Sequence, residues 1–185
     1  MLHNIWAFIK SPVYLKDQNK DFKYRSSLVF KLVVYSVVIN VVLGLLIGTL
    51  ESVFGLDLGK HAIDDFFEKY SLIFIFFAAV IMAPVVEELI FRAPMIWFKD
   101  KPYFPIIFYI LTLVFGFYHI TNFEITFTII ALSPILVAPQ IIVGSLLGYV
   151  RVKFGLLWAI AFHASYNLIL LGPLILVKML KIPLE

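Results

Sequence analysis

The sequence has no cysteine and few charged residues for its length. Without cysteine there is no disulfide, no thiolate metal site and no cysteine nucleophile. Charged residues make up 15% of the 185 positions and hydrophobic residues 62%, whereas a soluble domain has about a quarter charged residues. With a mean hydropathy of +1.00, the composition predicts a helical protein that crosses a membrane several times.

Three further features are missing: a long basic run, a secretory leader and an internal repeat. The net charge of +3 is spread over loops, which fits a neighbouring lipid surface and predicts no nucleic-acid partner. Residues 1–25 lack the short apolar core and the cleavage site of a leader. We therefore expect the first spanning helix to direct insertion into the bilayer.

Five apolar segments are long enough for spanning helices, which need about 20 residues each. They predict an all-α membrane bundle of about five transmembrane helices. The fourth segment contains Pro134 and Pro139, and we prefer one kinked span there over two shorter pieces. Residues 1–27 form a cytoplasmic or interfacial segment, in which Pro12 argues against one unbroken helix, and residues 28–181 form the bundle. The predicted spans are 28–50, 71–98, 103–120, 123–149 and 154–177.

The basic residues predict the orientation of the bundle. With five spans, three basic groups fall on one face, which the positive-inside tendency makes cytoplasmic together with the N-terminus. The mostly acidic loop 51–70 then lies outside. Lys178 and Lys181 also fall outside, against the tendency. The three groups are Lys10, Lys16, Lys20, Lys23 and Arg25, then Lys99 and Lys101, then Arg151 and Lys153.

Polar residues interrupt three of the predicted spans, and an ionisable group in a span is a functional hypothesis by default. Residues four apart share a helix face, whereas adjacent residues point about 100° apart. Three helices can therefore direct one carboxylate, two imidazoles and an amide into one interior pocket. The polar residues are Glu87, Glu88 and Arg92 on the second span, His119 on the third, and His163 and Asn167 on the fifth.

Each of these residues also has an ordinary structural explanation. Glu88 and Arg92 alone would be a structural ion pair, and His119 alone a residue of the membrane interface. His163 would be a hydrogen-bonded packing residue, and Asn167 would join two helices through a bond worth roughly 0.6 kcal/mol. Together they favour function, because each central charge costs about 2.5–3.5 kcal/mol on insertion scales, and a bundle that only packed would use leucine.

The motifs resemble those of the CAAX protease and bacteriocin-processing family of intramembrane proteases, also called the Abi family. That family carries Glu-Glu-x-x-x-Arg, Phe-x-x-x-His and His-x-x-x-Asn in this order, each on a membrane helix. The resemblance covers about residues 73–171, inside a catalytic core of about 71–177. Many members have glycine after the motif arginine, where this chain has Ala93 and Pro94. The matching positions are Glu87, Glu88 and Arg92, then Phe115 and His119, then His163 and Asn167.

The resemblance implies hydrolysis of a peptide bond inside the membrane, near its cytoplasmic side. The chain has no cysteine and the motifs pair no serine with a base, so water is the expected nucleophile. We expect Glu87 to act as the general base and His119 to help hold the water. His163 and Asn167 are expected to donate hydrogen bonds to the oxyanion.

The preferred mechanism requires no cofactor, and Glu88 with Arg92 plays only a supporting part in it. The alternative is a metalloprotease with one zinc ion at Glu87, His119 and His163, because two imidazoles and a carboxylate can hold a hydrolytic zinc. The spacing lacks the compact His-Glu-x-x-His pattern of soluble zinc proteases.

Three kinds of function compete for this pattern. An intramembrane endopeptidase would cleave a prenylated C-terminus, a peptide pheromone or bacteriocin leader, or a membrane-anchored regulator. The alternatives are a non-enzymatic immunity or adaptor protein of the same fold, and a small transporter or proton relay. Intact motifs favour the enzyme, and the lack of paired halves with broken segments disfavours transport. We expect a bacterial inner-membrane protein with a peptide substrate, and the sequence predicts no oligomeric state.

Overall fold

The structure is a computed structural model that describes residues 1–59 and 62–180, without the side chain of Asp64. Lys181, the last residue of the predicted bundle, lies outside the described residues. Every regular element in these ranges is helical and no β-sheet is present there, which confirms the all-helical fold class. The α-helices are α1 Leu2–Lys10, α2 Phe22–Phe54, α3 Ala62–Lys69, α4 Leu72–Phe76, α5 Ala83–Phe91, α6 Phe104–Tyr118, α7 Phe127–Leu136, α8 Ala138–Phe154 and α9 Leu156–Met179.

Four or five of these helical stretches can cross a membrane, as the apolar runs predict. α7 and α8 are bent by 40° and together make the fifth candidate span or a re-entrant loop. Pro139 lies in the first turn of α8, where its missing N–H costs no intrahelical bond. The predicted kink is thus a break between two helices at Val137. The single stretches found among the described residues are Phe22–Phe54, Leu72–Phe98, Phe104–Asn122 and Leu156–Met179.

The first spanning helix begins before its apolar run. Asp21 caps α2 by accepting the backbone N–H of Tyr24 at 2.7 Å, so the basic turn that follows is helical. Gly55, with a left-handed φ of 61°, ends the helix. In the second half of α2, Ile47 packs against a smaller hydrophobic cluster that includes Ile129 and Leu136 of α7. The fully buried residues of α2 all lie in its first half: Val29, Leu32, Val33 and Ser36.

The second span is not one regular α-helix. α4 leads into a π-helical segment at Phe77–Met82, α5 follows, and a 3-10 segment at Ala93–Phe98 completes the span. Pro94 lacks the N–H that would continue α5, so the α-helix stops at Phe91 and the next turn narrows. Ala93 and Pro94 therefore follow a helix that ends with Arg92 as its C-cap residue. Short π segments are frequent at functional sites.

The N-terminal helix is packed into the core of the bundle. α1 ends at Lys10, before Pro12, as the proline predicts. Its Ile5 and Phe8 are buried, and the ring of Phe8 packs edge-to-face against Phe108 of α6, with 5.3 Å between the ring centroids. α1 is thus fixed to the helices that carry the motifs.

Residues 11–20, which we call the strap, run across the C-terminal end of α8. The backbone N–H of Asp17 donates to the Lys153 carbonyl oxygen at 3.1 Å. In return, Lys153 Nζ donates to the Leu15 carbonyl oxygen at 3.1 Å. These two bonds fix the strap to the end of α8.

Glycines bring α6 and α8 close together. A Cβ atom on Gly148 of α8 would lie 2.6 Å from Phe108 Cε2, and one on Gly116 of α6 would collide with the Ile141 side chain. Small residues are the usual means by which membrane helices approach closely. This close packing fixes the end of α6, where His119 begins a 3-10 turn.

Candidate active site

One carboxylate lies between two imidazoles in the interior of the bundle. Glu87 Oε2, on α5, is 3.8 Å from His163 Nε2 on α9 and 3.9 Å from His119 Nε2 at the end of α6. The side chains of Glu87 and His119 are 18% and 17% exposed, and that of His163 is 5% exposed. Three of the residues predicted to share a pocket therefore do meet, although they belong to three different helices.

Each imidazole is oriented through its other nitrogen. His119 Nδ1 lies 2.8 Å from the carbonyl oxygen of Phe115, and His163 Nδ1 lies 3.1 Å from Glu88 Oε1. A carbonyl and a carboxylate accept hydrogen bonds, so each Nδ1 carries the hydrogen and a neutral ring has its lone pair on Nε2. Both Nε2 atoms lie on the Glu87 side, so the carboxylate faces two acceptor nitrogens when both rings are neutral.

Glu88 and Arg92 form a fully buried pair beside this cluster. Both side chains are 0% exposed, and Arg92 Nη1 lies 3.5 Å from Glu88 Oε1. Arg92 Nη2 donates to the Gly144 carbonyl oxygen at 3.2 Å. The guanidinium carbon lies 3.9 Å from the centre of the Phe115 ring, a cation–π distance. The pair therefore links α5 to α6 and α8. The contact of its guanidinium with the ring gives Phe115, four residues before His119, a structural role.

Asn167 lies one turn after His163 on α9 and bonds to the π-helical segment. Its Nδ2 donates to the Ala79 carbonyl oxygen at 2.8 Å. In a π turn a carbonyl accepts the N–H five residues on, but for Ala79 that residue is Pro84, which has no N–H, so the Asn167 bond satisfies this carbonyl. A side-chain amide has two N–H groups, and the bond to Ala79 employs one of them. Asn167 therefore joins α9 to the second span in addition to standing near His163.

Arg151 also supports this site, although it is not among the residues predicted from the sequence motifs. Its side chain is 7% exposed, and its Nε donates to the Arg92 carbonyl oxygen at 3.0 Å. Its Nη1 donates to the Tyr14 hydroxyl of the strap at 3.1 Å. Because α5 stops at Phe91, the Arg92 carbonyl accepts the backbone N–H of Met95, three residues on, at 3.3 Å, and Arg151 is its second donor. An arginine in the last turn of a spanning helix gives no sequence signal for this contact.

The donors around Glu87 are of the kind that zinc accepts, namely two imidazole nitrogens and a carboxylate. Within residues 1–59 and 62–180, however, no three histidine or acidic side chains are grouped as ligands for one metal ion. Each histidine does have the hydrogen-bonded second nitrogen that is typical of metal ligands, but the same bond also orients a histidine that binds water. The zinc alternative at Glu87, His119 and His163 therefore stays a prediction.

The fold and the cluster define a class of protein: an integral membrane protein of several apolar helices whose interior holds an acid–imidazole group beside a buried ion pair. The family model described as Rce1-like type II CAAX prenyl endopeptidase matches residues 69–169, a range that includes all the motif residues. The match covers more than half of the chain. The protein therefore belongs to this CAAX protease family, which confirms the resemblance seen in the motifs. Neither the curated proteins nor the solved structures offer a match to the chain.

Membership of this family implies an intramembrane protease. The substrate of such an enzyme is a protein or peptide, and the several apolar helices agree with cleavage at the membrane.

Proposed function

We propose that this protein is an intramembrane endopeptidase that hydrolyses a peptide bond of a membrane-associated protein or peptide with a water molecule activated by Glu87. The observation that carries the proposal is the position of Glu87 Oε2, 3.9 Å from His119 Nε2 and 3.8 Å from His163 Nε2. Membership of the CAAX protease family supports hydrolysis of a peptide bond as the reaction.

The two separations suit a water molecule between the groups. At 3.8 and 3.9 Å they exceed a direct hydrogen bond, which measures about 2.7–3.2 Å. Two partners that each lie about 2.8 Å from one water are this far apart when they subtend an angle of about 90° at its oxygen. One hydrogen would then bond to Glu87 and the other to the His119 lone pair. An oxygen lone pair remains for the attack on the scissile carbonyl carbon.

Proton transfer follows from this arrangement. As the water oxygen bonds to the carbonyl carbon, its proton moves to the Glu87 carboxylate, and the carbonyl oxygen becomes an oxyanion. When the C–N bond breaks, Glu87 returns the proton to the leaving amine, so the carboxylate is regenerated. A positioned acid–base group of this kind contributes about 100- to 10,000-fold to the rate.

His163 and Asn167 are the proposed donors to the oxyanion. His163 Nδ1 already donates to Glu88 at 3.1 Å, so donation from Nε2 requires the doubly protonated ring. Asn167 would donate through the amide N–H that does not bond to Ala79. Donors aimed at an oxyanion are each worth about 100- to 1,000-fold in turnover.

The substitution Glu87→Gln tests the general base. It keeps the shape of the side chain but removes the group that takes the proton, so we expect cleavage to fall about 100- to 10,000-fold. The experiment compares the membrane proteomes of cells that produce the wild type or the variant and searches for a peptide that is no longer trimmed. That peptide is then used as the substrate of purified protein in vesicles.

The controls separate chemistry from folding. His119→Ala and His163→Ala should also abolish cleavage, whereas Ser165→Ala, an exposed position on the same helix as His163, should retain it. We expect the wild type to remain active in a metal chelator, and loss that added zinc restores would favour the metalloprotease. Full cleavage by Glu87→Gln would remove this residue from the mechanism. If cells that produce Glu87→Gln keep the wild-type phenotype although the variant cleaves no peptide, the result would support the non-enzymatic immunity or adaptor role.

A further inference from the structure

A cavity of about 590 Å³, lined by both polar and apolar side chains, lies at the end of the bundle where α1, the strap, the first turns of α2 and the last turns of α8 meet. Its lining shares no residue with the Glu87 cluster in the described part of the chain. Small-molecule sites have volumes of about 300–1,000 Å³, so the cavity has room for a phospholipid headgroup. The polar side chains that line it include Asp17, Tyr24, Lys31, Tyr149 and Lys153.

Two lysines give the cavity its positive charge. Lys31 stands nine residues after Phe22 in α2, so its Cα lies about 13 Å along the helix from the start. A lysine at such a depth in a spanning helix extends its ammonium towards a polar region, and here Lys31 lines the cavity together with Lys153. The bond from Lys153 Nζ to the Leu15 carbonyl oxygen holds this second ammonium at the cavity wall.

The one acidic side chain in the wall is committed to other partners. Asp17 Oδ1 accepts the backbone N–H of Asn19 at 2.8 Å, and its Oδ2 accepts the Tyr24 hydroxyl at 3.0 Å. No ion pair joins Asp17 to Lys31 or Lys153 in the described ranges. The two ammonium groups are therefore available to an anion that enters the cavity.

The surface of α2 next to Lys31 is apolar and exposed. Phe30 is 65% exposed and Val34 is 42% exposed, one residue before and three residues after the lysine. These side chains offer hydrocarbon contacts beside a cationic cavity, and that combination matches a phospholipid, which joins an anionic headgroup to acyl chains. A free phosphate ion would use the lysines but not the apolar surface.

We propose that this cavity binds the phosphate of an anionic phospholipid headgroup, with Lys31 and Lys153 as its cationic partners and the acyl chains along the exposed face of α2. Basic pockets between membrane helices recognise headgroups in this way. The lipid would contact α1, the strap, α2 and α8 at once, and it would therefore brace the strap whose Tyr14 bonds to Arg151.

The test uses the full-length protein purified in a nonionic detergent. Phosphatidylglycerol or phosphatidylcholine is added in increasing amounts, and native mass spectrometry measures the lipid bound. We expect the wild type to bind phosphatidylglycerol more tightly. Lys31→Gln should weaken that binding about fivefold, equivalent to about 1 kcal/mol for one basic contact. Lys23→Gln removes the same charge from the first turn of α2, outside the cavity wall, and should bind as the wild type does.

A second variant changes the volume of the cavity without changing its charge. Ser27 lines the cavity, so Ser27→Phe should abolish selective binding while both lysines remain. Equal binding of the two lipids by the wild type would overturn the proposal, as would unchanged binding in both Lys31→Gln and Ser27→Phe. Complete displacement of phosphatidylglycerol by millimolar inorganic phosphate would also overturn the proposal, because the cavity would then be a site for free phosphate. None of these readouts depends on protease activity.

Discussion

Glu87 and Glu88 are adjacent in the chain but have different partners in the structure. Glu88 is fully buried and lies 3.5 Å from Arg92 Nη1 and 3.1 Å from His163 Nδ1. Glu87 is 18% exposed and faces the Nε2 atoms of two histidines. Successive residues of a helix point about 100° apart, so one acid can neutralise the buried arginine while the other faces the space between the imidazoles.

At the residue scale, this difference predicts that substitution of the two glutamates by glutamine lowers stability by very different amounts. Glu88→Gln leaves the buried Arg92 guanidinium without a counter-charge, and we expect it to lower the free energy of unfolding by about 3–5 kcal/mol. Glu87→Gln should change that free energy by less than about 1 kcal/mol, because Glu87 is not the partner of Arg92. Unfolding of both purified variants by sodium dodecyl sulfate measures the difference. Equal stability of the two variants would show that the buried pair does not carry the predicted energy.

A second residue-scale prediction concerns Asn167. If the amide only joins α9 to Ala79, Asn167→Ala should cost roughly 0.6 kcal/mol of stability and change turnover little. The proposed donation to the oxyanion instead predicts a fall in kcat of about 100- to 1,000-fold with a similar KM. Steady-state kinetics and unfolding of the same preparation distinguish the two roles. Parallel, small losses of stability and turnover would assign Asn167 to packing alone.

At the element scale, the close packing of α6 against α8 positions the residues around the buried arginine. Gly144 lies against both Phe115 and Arg92, since a Cβ there would be 2.9 Å from Phe115 Cδ1 and 3.1 Å from Arg92 Nη2. One turn further along α8, Gly148 lies against Phe108. Any residue larger than glycine would push α6 away, and with it the backbone carbonyl that orients His119.

Gly148→Val tests this packing. The substitution places a branched side chain where a single Cβ would already be 2.6 Å from Phe108 Cε2, and overpacking of this kind costs about 1–3 kcal/mol. Gly44→Val on α2 is the matched control, because nothing lies within 4 Å of a Cβ built there. We expect Gly148→Val to unfold at lower denaturant concentration than the control. Indistinguishable unfolding curves would contradict a tight contact between α6 and α8.

Arg151 and the strap show a second kind of link between elements. The strap is linked to the end of α5 through a buried arginine on α8, which bonds to the Tyr14 hydroxyl at 3.1 Å and to the Arg92 carbonyl at 3.0 Å. A hydrogen bond from a charged donor contributes about 1.5–3 kcal/mol. The N-terminal segment therefore stabilises the end of α5 although it contains none of the motif residues.

At the scale of the whole molecule, the predicted basic groups and the acidic loop belong to opposite ends of the helices. Lys178, which runs against the positive-inside tendency, lies at the end of α9 with its Nζ 4.5 Å from the ring of Phe67 on α3. Lys178 therefore lies next to α3, which is part of the mostly acidic loop 51–70. The orientation in the membrane, the bacterial inner membrane as location, and the division into residues 1–27 and 28–181 stay predictions.

The orientation can be measured simply because the chain has no native cysteine. Lys101→Cys places one thiol in the loop before α6, and Lys69→Cys places one at the end of α3. With the N-terminus in the cytoplasm, a membrane-impermeant maleimide added to intact cells should label Lys69→Cys and should label Lys101→Cys only after permeabilisation. Lys16→Cys should behave as Lys101→Cys does. The reverse pattern would invert the topology.

The sequence by itself determined the class of fold, the approximate extent of the spans and the identity of the motif residues. These features are local, since a run of apolar residues or a spacing of four positions is complete within one helix. The early start of α2 was missed because a polar, capped turn precedes the apolar run. The prolines of the fourth segment predicted either one kinked span or two shorter pieces, and the structure has two helices bent by 40° at Val137.

Only the tertiary structure decided which side chains bond to one another. The bond of His163 to Glu88, that of Asn167 to Ala79 and that of Arg151 to the Arg92 carbonyl all join helices far apart in the chain. The cavity beside Lys31 likewise needs four elements to enclose it. Such contacts depend on the relative depth and rotation of packed helices. Those quantities are set by the packing of glycines and aromatic rings between helices, and no pattern within a single helix records them.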